Sequence, residues 1–297
     1  MNYRQLGRSS LELSEIGLGC MSLPMQDETA CLQIIDRAIE LGINFFDTAD
    51  LYNKGENEII VGRALKHKRK QMIIATKVGN QWRKDGSGWD WNPGKSYILE
   101  SVEESLRRLQ ADYIDLYQLH GGTIDDPIDE AIEAFELLQQ QGKIRYYGIS
   151  SIRPNVIREY VSRSNIVSVM MQYSLADRRP EESMLDLLAA NHIGVLSRGA
   201  LGQGMLVNKP AKDYLGHSAT EIKHAAQVIG NLSNASRSSA GIATRLVLQH
   251  QAITSAVVGC SKLLQLNEIA GSSAELTAAE VSQLRQLLPG RNYEQHR

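Results

Sequence analysis

Short apolar runs alternate with longer amphipathic stretches along almost the whole chain, and this alternation leaves few folds open to it. The runs occupy 14–19, 43–49, 71–77, 113–120, 144–150, 167–174, 194–199 and 254–259. Nearly all of their residues are apolar, which is typical of parallel strands that are covered on both faces. Eight strand–helix units in series favour an α/β fold, a closed (β/α)8 TIM barrel, over an open sheet.

The stretches between the runs have the periodicity of helices with one buried face. They cover 28–42, 57–68, 96–110, 128–141, 154–164, 181–192, 238–250 and 263–271. In one of them the apolar residues recur at the i, i+3, i+7 and i+10 positions, which are occupied by Leu99, Val102, Leu106 and Leu109. Asp126, followed by Pro127, is predicted to cap the helix over 128–141.

The remaining segments add to the barrel without suggesting a second domain. The leading "YRQLG" and "LELSEI" predict a β-hairpin before the first barrel strand, and 277–288 predicts an extra C-terminal helix. Two segments, 80–94 and 206–227, are interpreted as irregular loops. Because no linker or low-complexity segment interrupts the series, residues 1–297 are predicted to form one domain.

Composition excludes several classes of protein. The net charge is -2 and the pI is about 6.4, which gives no basic surface for nucleic acid or an anionic membrane. No apolar stretch approaches the roughly 18 residues of a membrane span, and the N-terminus lacks the layout of a secretory signal. Cys20, Cys31 and Cys260 are widely spaced, so we expect free thiols, a cytoplasmic location and no metal site.

The sequence "GLGCMS", 17–22, almost matches the GxGxxG fingerprint of dinucleotide-binding Rossmann folds. Ser22 stands where the third glycine would be, and no helix is predicted to open there. The fingerprint places a pyrophosphate at a helix N-terminus, so without that helix the mechanism fails. A Rossmann unit is therefore not expected.

Four ionisable side chains fall at the ends of neighbouring predicted strands. Asp47 ends the second strand, Lys77 the third and His120 the fourth, while Tyr52 lies on the loop after the second. In a (β/α)8 barrel, the carboxyl ends of the strands carry the active site. Each residue alone has an ordinary structural explanation, as a capping acid, a solvated lysine or a hydrogen-bonded histidine. Their convergence on one quadrant of the rim favours a site.

These four residue types suit proton transfer to an oxygen. A tyrosine is a poor acid near neutral pH, with a pKa of about 10, and an adjacent ammonium lowers that pKa. Asp47 would hold Lys77 charged, and His120 would hydrogen-bond the same substrate oxygen as Tyr52. The arrangement suits carbonyl reduction, in which the hydride must come from a cofactor.

Two other functions use the same residues. A Schiff-base lyase or aldolase would use Lys77 as the nucleophile, but that requires a neutral lysine, which Asp47 opposes. A non-catalytic redox sensor would keep the nucleotide site and report to a partner protein. The chain has no conspicuous docking segment for such a partner.

The chain resembles the aldo-keto reductase family over essentially its whole length, and bacterial cytoplasmic members most closely. The resemblance lies in "GLGCMS", "GINFFDTADLY", "ATKVG", "YIDLYQLHG", "IRYYGIS", "MQYS" and "VVGCSK". It implies NADPH-dependent reduction of a small-molecule carbonyl substrate, with NADH not excluded. Tyr52 would be the general acid, tuned by Lys77 and Asp47, and His120 would orient the carbonyl. The protein would be a monomer or a small homo-oligomer.

The resemblance also implies an extended NADPH across the barrel mouth. The implied contact residues are Gly19, Met21, Asp47, Ser150, Ser151, Gln172, Arg198, Gly199, Leu201, Gln203, Ser261, Lys262, Gln265 and Glu268. Ser150, Ser151 and Gln172 would meet the nicotinamide carboxamide. Ser261 to Glu268 would face the adenosine, with Lys262 as the leading partner of a 2'-phosphate.

Four positions depart from the family pattern. Many members have Asn where Ser151 stands and an aromatic residue where Arg198 stands. Near the adenosine, a familiar Arg and Asn are replaced by Ser261 and Ile269. The preference for NADPH over NADH therefore depends on Lys262.

All three tryptophans of the chain lie in 80–94, after Lys77. A glycine-rich loop with three large aromatic side chains could form the wall of a substrate pocket. It could equally pack its indoles against its own barrel. The candidate substrate-pocket residues are Tyr52, His120, Trp82, Trp89 and Trp91.

Overall fold

A closed barrel of eight parallel strands forms the centre of the computed structural model, which describes residues 1–271 and 275–297. The strands in chain order are β1 (Tyr3–Gln5), β2 (Glu12–Ser14), β3 (Ile16–Gly19), β4 (Phe45–Asp47), β5 (Ile73–Val78), β6 (Asn80–Trp82), β7 (Trp89–Trp91), β8 (Ile114–Leu119), β9 (Ile144–Ser150), β10 (Ser168–Gln172), β11 (Gly194–Arg198) and β12 (Ile253–Gly259). The barrel order is β3–β4–β5–β8–β9–β10–β11–β12, with β12 pairing back onto β3. The predicted (β/α)8 barrel is confirmed.

Helices surround the barrel and follow its strands. They are α1 (Glu28–Glu40), α2 (Glu56–Leu65), α3 (Lys95–Leu109), α4 (Ile128–Gln140), α5 (Pro154–Arg163), α6 (Met184–Ala190), α7 (Ala219–Leu232), α8 (Ser239–Leu248), α9 (Leu263–Ala270) and α10 (Ala278–Leu287). The predicted hairpin is β1–β2, which pairs antiparallel, and the predicted extra C-terminal helix is α10. Among the described helices, none has the length and apolar character to cross a membrane.

Burial follows the predicted pattern of strands covered on both faces. Every residue of β5 and β8 is buried. One cluster fills the barrel interior, with Phe45, Leu116 and Leu196 from the strands and Leu11 and Leu13 from the β1–β2 segment. The hairpin therefore contributes side chains to the barrel core, while a larger apolar cluster joins the outer faces of the strands to the helices.

The near-match to GxGxxG has a packing explanation. A Cβ on Gly17 would lie 2.5 Å from Cδ1 of Phe45, so glycine makes room for that ring inside the barrel. A single 3-10 turn, Cys20–Ser22, follows β3, and the next α-helix begins only at Glu28. The three cysteines are free, as predicted, and all three are buried.

Two elements lie within the segments predicted to be irregular loops. The segment 80–94 contains the antiparallel pair β6–β7, in which Trp82 faces Trp89. The segment 206–227 contains the start of α7, which has a capping box between Ser218 and Glu221. That Ser-x-x-Glu pattern, followed by Ile222 at an apolar helical spacing, is the sequence signal for this helix start.

The predicted cap of α4 is wrong. The helix begins at Ile128 with Pro127 in the capping position and no side-chain cap. The Asp126 carboxylate instead accepts hydrogen bonds from the Thr123 backbone N–H at 2.6 Å and from Nε1 of Trp91 at 3.0 Å. The Asp126 carboxylate, which was expected to accept hydrogen bonds from the N-terminus of α4, thus accepts them from the Trp91 indole and the Thr123 backbone instead.

Candidate active site

A buried ion pair joins the ends of β4 and β5. Asp47 is the last residue of β4, and Lys77 is the penultimate residue of β5. The two residues are only 4% and 1% exposed. Nζ of Lys77 donates to Oδ2 of Asp47 at 2.7 Å and to the Thr48 carbonyl at 2.8 Å. A lysine this deeply buried keeps its charge only when it is paired, so the pair fixes the ammonium in place.

Tyr52 reaches the same ammonium from a tight turn. Its hydroxyl accepts a hydrogen bond from Nζ of Lys77 at 3.4 Å, and that nitrogen lies 5.1 Å from the ring centroid. Asn53 and Lys54 have left-handed φ values of 49° and 56°, and Gly55 follows at 90°. These residues reverse the chain before α2, so the left-handed backbone after Tyr52 directs the phenol back over the barrel.

His120 lies directly after β8 and faces the phenol. Its ring packs edge-on to Tyr52, with centroids 5.8 Å apart and planes at 82°. Its backbone N–H donates to the Val78 carbonyl at 2.8 Å, and its Nδ1 is buried without a hydrogen-bond partner among the described residues. The structure thus brings the four predicted catalytic residues into one cluster.

The environment sets the protonation of this cluster. Burial raises the pKa of the Tyr52 hydroxyl, and the Lys77 ammonium opposes that shift without cancelling it. The lysine therefore acts in the predicted direction, but the net shift is opposite to the one expected from the sequence. Burial, Lys77 and Arg198 together lower the pKa of His120 to about 3, so its imidazole is neutral at physiological pH.

The charge of Lys77 is maintained by its partners. Burial alone would lower the pKa of this lysine, but Asp47 and Tyr52 outweigh burial and raise it. Burial raises the pKa of Asp47, which the ammonium counteracts. A charged lysine beside a protonated phenol is the result at neutral pH.

A cavity of about 450 Å³ opens beside the cluster, within the usual range for small-molecule and cofactor sites. Asp47 and Tyr52 form part of its wall. The other predicted contact residues that line it are Gly19, Met21, Arg198, Gly199, Leu201, Gln203, Gln265 and Glu268. These residues come from β3, from the end of β11 and the loop that follows, and from α9, so distant parts of the chain meet at one opening.

Residues outside the predicted contact set also line this cavity. Asn208 and Lys209 come from the loop after β11, Ala240 from α8 and Ile269 from α9. The stem of Lys209 lies over Gly204, whose φ is 90°. A lysine a few residues after a glycine-rich segment was the available signal, since such segments allow the chain to turn back over a ligand.

Gln172 and the two serines near it lie outside the wall of this cavity. The Gln172 amide donates to Oδ2 of Asp177 at 2.8 Å and to the Tyr214 hydroxyl at 2.7 Å, and it accepts from Arg198 at 3.3 Å. The backbone N–H of Ser151 donates to the Met170 carbonyl at 3.0 Å, and Ser150, at the end of β9, is partly exposed. The amide of Gln172 is thus held by a side-chain network.

The predicted adenosine contacts are arranged around the start of α9. The Ser261 backbone N–H donates to Oε1 of Gln265 at 2.9 Å. Lys262 is exposed at the position that precedes the helix. Gln265 and Glu268 line the cavity, whereas Ser261 and Lys262 lie beyond its edge.

The three tryptophans lie on the β6–β7 hairpin and do not line the 450 Å³ cavity. Trp91 is partly buried and bonds Asp126, and Trp89 is exposed. Trp82 lines a separate cleft, where Nζ of Lys54 lies 5.2 Å from its ring centroid. Because Lys54 lies in the same turn as Tyr52, this contact with Trp82 connects the β6–β7 hairpin to that turn.

At the carboxyl ends of the strands of this (β/α)8 barrel, a tyrosine hydroxyl is hydrogen-bonded to a buried lysine beside a cofactor-sized cavity. This combination defines a barrel oxidoreductase. The chain belongs to the aldo/keto reductase family, whose sequence profile matches residues 15–289. It is an NAD(P)H-dependent oxidoreductase of small carbonyl compounds.

Relatives agree with this assignment. The chain is 50% identical to the uncharacterized oxidoreductase YqkF of Bacillus subtilis, with 100% of both chains covered. It is 34% identical to the NADH-specific methylglyoxal reductase of Escherichia coli, covering 71% of this chain and 70% of that one.

Among solved structures, the aldo-keto reductase AKR11C1 of Bacillus halodurans is similar in two forms. Its holo form is 50% identical with a TM-score of 0.94, and covers 100% of this chain and 99% of that one. Its apo form is 48% identical with a TM-score of 0.85 over the same shares. The described conformation is therefore closer to the holo form of that relative.

The residues of the cavity fit a nicotinamide dinucleotide. Glycines at 19, 199, 204 and 259 line it, so a planar ring or a phosphate can approach the backbone closely. Oδ1 of Asp47 and Nδ1 of His120 are buried polar atoms without a partner among the described residues. Such atoms are the groups that a bound molecule can satisfy.

Proposed function

We propose that this chain reduces aldehydes or ketones to alcohols with NADPH as the hydride donor and Tyr52 as the general acid. The observation that carries the proposal is the position of Nζ of Lys77, which is 2.7 Å from a carboxylate oxygen of Asp47 and 3.4 Å from the Tyr52 hydroxyl. An ammonium in this position stabilises the phenolate that remains after a proton leaves. The proton can therefore be delivered at the moment when negative charge develops on the substrate oxygen.

Each residue of the cluster has one task in this mechanism. Tyr52 is protonated at neutral pH because burial raises its pKa, so it can act as a donor. Lys77, held by Asp47, compensates the charge that the phenol loses. His120 is neutral and donates a hydrogen bond to the same carbonyl oxygen, which orients the substrate towards Tyr52.

The cofactor, when bound, supplies the hydride that reaches the carbonyl carbon. We infer that Gly19, Met21, Arg198, Gly199 and Leu201 hold its nicotinamide end, because they line the cavity next to Tyr52. Gln172, Ser150 and Ser151 lie at the neighbouring strand ends and are proposed to contact the carboxamide. The described conformation is more similar overall to the holo form of that relative than to its apo form, which supports a cofactor-binding conformation.

The preference for NADPH depends on the other end of the cavity. Gln203, Gln265 and Glu268 line it, and the exposed Lys262 precedes α9. We propose Lys262 as the partner of the 2'-phosphate, with Ser261 beside it. A relative named as NADH-specific shows that the family name alone does not fix the choice.

The charge on Lys77 is an argument against a Schiff-base function. A lysine nucleophile must be neutral, but Asp47 and Tyr52 raise the pKa of this lysine, and its amine is buried in the ion pair. Borohydride trapping with a carbonyl ligand is expected to give no adduct. The buried free thiols are compatible with a cytoplasmic location.

A substrate panel tests the proposal. The purified protein is incubated with aldehydes, ketones and sugars, and oxidation of NADPH and of NADH is followed separately. We expect turnover of activated aldehydes, faster with NADPH. Cofactor binding without turnover of any carbonyl would contradict the proposal and indicate a redox sensor instead.

A further inference from the structure

Five charged or ionisable side chains form a buried charge cluster between β4, β5, α2 and α3. The cluster consists of Asp47, Asp50, Glu58, Lys77 and Arg108. Lys77 pairs with Asp47 at 2.7 Å, and Nε of Arg108 pairs with Oε2 of Glu58 at 2.6 Å. Three carboxyl groups thus share two cations, and one carboxyl remains without a counterion.

Asp50 is the carboxyl that is left over. It is 8% exposed, and its Oδ1 is buried with no hydrogen-bond partner among the described residues. In the part of the chain that the structure describes, it forms no ion pair, whereas Glu58 also accepts from Oγ1 of Thr76 at 2.6 Å. A buried carboxylate without a counterion is costly, so such a group keeps its proton.

Asp50 is also connected through the backbone to Lys77 and Tyr52. Its backbone N–H donates to the carbonyl of Lys77 at 3.3 Å, and Tyr52 follows two residues later. The backbone N–H of Tyr52 donates to the Ala49 carbonyl at 3.1 Å, so Asp50 lies inside the turn that places the phenol. A change of charge at Asp50 therefore changes the electrostatic potential at Lys77.

We propose that Asp50 is a positioning residue for proton transfer, because its bound proton keeps the buried charge cluster balanced and leaves the field of Lys77 free to act on Tyr52. The inference rests on the proposed function. When Asp50 loses its proton, the added negative charge offsets the ammonium that stabilises the Tyr52 phenolate. Reduction is then slower, although Asp50 does not line the 450 Å³ cavity.

The titratable and charged groups on the elements around Asp50 determine its protonation. Burial, followed by the Glu58 carboxylate of α2, raises the pKa of Asp50 to about 8, against the opposing effects of Arg108 from α3 and Lys77 from β5. On α3, burial and the nearby Asp50 raise the pKa of Tyr97 to about 12. On β8, Tyr117 has its pKa raised by burial and then by Asp50.

A cleft of about 290 Å³ lies against Asp50, and further charged groups line it. These are Lys54, Glu100, Glu104 and Arg108. Glu104 lies 3.9 Å from Arg108, which already pairs with Glu58, so that cation is shared by two carboxylates. The cleft gives a route by which Asp50 can exchange its proton with solvent.

The pH dependence of the hydride-transfer step tests this role. Single-turnover reduction of an activated aldehyde is measured from pH 6 to 10 for the wild type, for Asp50→Asn and for the exposed control Asp112→Asn. Asparagine reproduces the shape and neutrality of the protonated acid. We expect the rate of the wild type and of the control to fall about threefold to tenfold above pH 8. Asp50→Asn should have a rate close to that of the wild type at pH 6.5 and should show no such decrease above pH 8. An equal decrease in the rate of Asp50→Asn above pH 8 would overturn the proposal.

Infrared spectroscopy of the wild-type protein gives a measurement that needs neither a variant nor turnover. We expect a carboxylic-acid carbonyl band at pH 7 that disappears as the pH rises through about 8. Absence of any such band at pH 7 would overturn the proposal even if the Asp50 variant did not fold. A wild type without carbonyl reductase activity but with this band would contradict the proposed function and leave a protonated carboxyl group with a pKa of about 8, as expected for Asp50.

Discussion

The two sides of the barrel mouth differ in how their polar side chains are held. On the side of β4, β5 and β8, Asp47, Lys77, Tyr52 and His120 contact one another and are largely shielded from water. On the side of β10 to β12 and α9, Lys262 is exposed, and Gln172 is held by side chains from other loops. The first side is fixed by strand register and one buried ion pair, whereas the second depends on contacts between segments far apart in sequence.

This difference predicts unequal sensitivity to mutation. Removing a partner from the buried pair leaves an uncompensated charge in the core, which affects folding and chemistry together. Removing a group from the exposed side changes affinity for one part of the cofactor and leaves the core intact.

Lys77→Met should have the largest effect on both stability and activity. It leaves Asp47 buried without its cation, so we expect a loss of about 3–5 kcal/mol in the free energy of unfolding. We also expect a loss of about 10²–10⁴ in kcat for carbonyl reduction. Urea denaturation and steady-state assays measure these effects.

The control for that variant is Lys95→Met, which breaks the ion pair with Glu133 at the surface, where the two side chains are 33% and 66% exposed. We expect it to cost about 1 kcal/mol or less and to leave kcat unchanged. Equal losses for the two variants would remove the distinction between the buried and exposed sides.

Lys262→Ala should change cofactor preference by a smaller amount. Loss of a charged hydrogen bond to a 2'-phosphate corresponds to about a tenfold increase in the Michaelis constant for NADPH. The constant for NADH should stay the same, as should both constants in the control Lys223→Ala on α7. Parallel increases for NADPH and NADH would show that Lys262 does not recognise the phosphate.

Tyr214→Phe should have the smallest effect. The phenylalanine keeps the ring and removes only the hydroxyl that accepts a 2.7 Å hydrogen bond from the Gln172 amide. Because one such bond is worth about 1 kcal/mol, we expect cofactor binding to weaken by about twofold to fivefold in a fluorescence titration. Tyr3→Phe, which removes a hydroxyl bonded to Gly42 on the surface, is the matched control. Tighter binding by Tyr214→Phe would mean that Tyr214 competes with the cofactor for Gln172.

The four residues of the first side could be predicted from the sequence because their geometry is largely local. Asp47, Lys77 and His120 stand at or next to the ends of neighbouring strands, and barrel strands end at the same rim. Tyr52 follows Asp47 by five residues, too short a distance to leave that rim. The fold was predictable for the same reason, since each barrel strand pairs with the next barrel strand along the chain.

The surroundings of these residues could not be predicted in the same way. Trp91 bonds Asp126, 35 residues away, and Gln172 bonds Tyr214, 42 residues away. No sequence pattern links such partners, because each contact depends on where two loops cross. The net rise in the pKa of Tyr52 also escaped prediction, since burial outweighs the nearby ammonium and depends on packing.

The role of Tyr52 as the general acid is tested by comparing cofactor binding and turnover in Tyr52→Phe. The ring remains and only the ionisable hydroxyl next to Lys77 is lost, with Tyr113→Phe as a control at the opposite end of the barrel. We predict that Tyr52→Phe binds NADPH nearly as tightly as the wild type and loses about 10²–10⁴ in kcat for an activated aldehyde. Reduction of that aldehyde at the wild-type rate would contradict the assignment of Tyr52 as the acid.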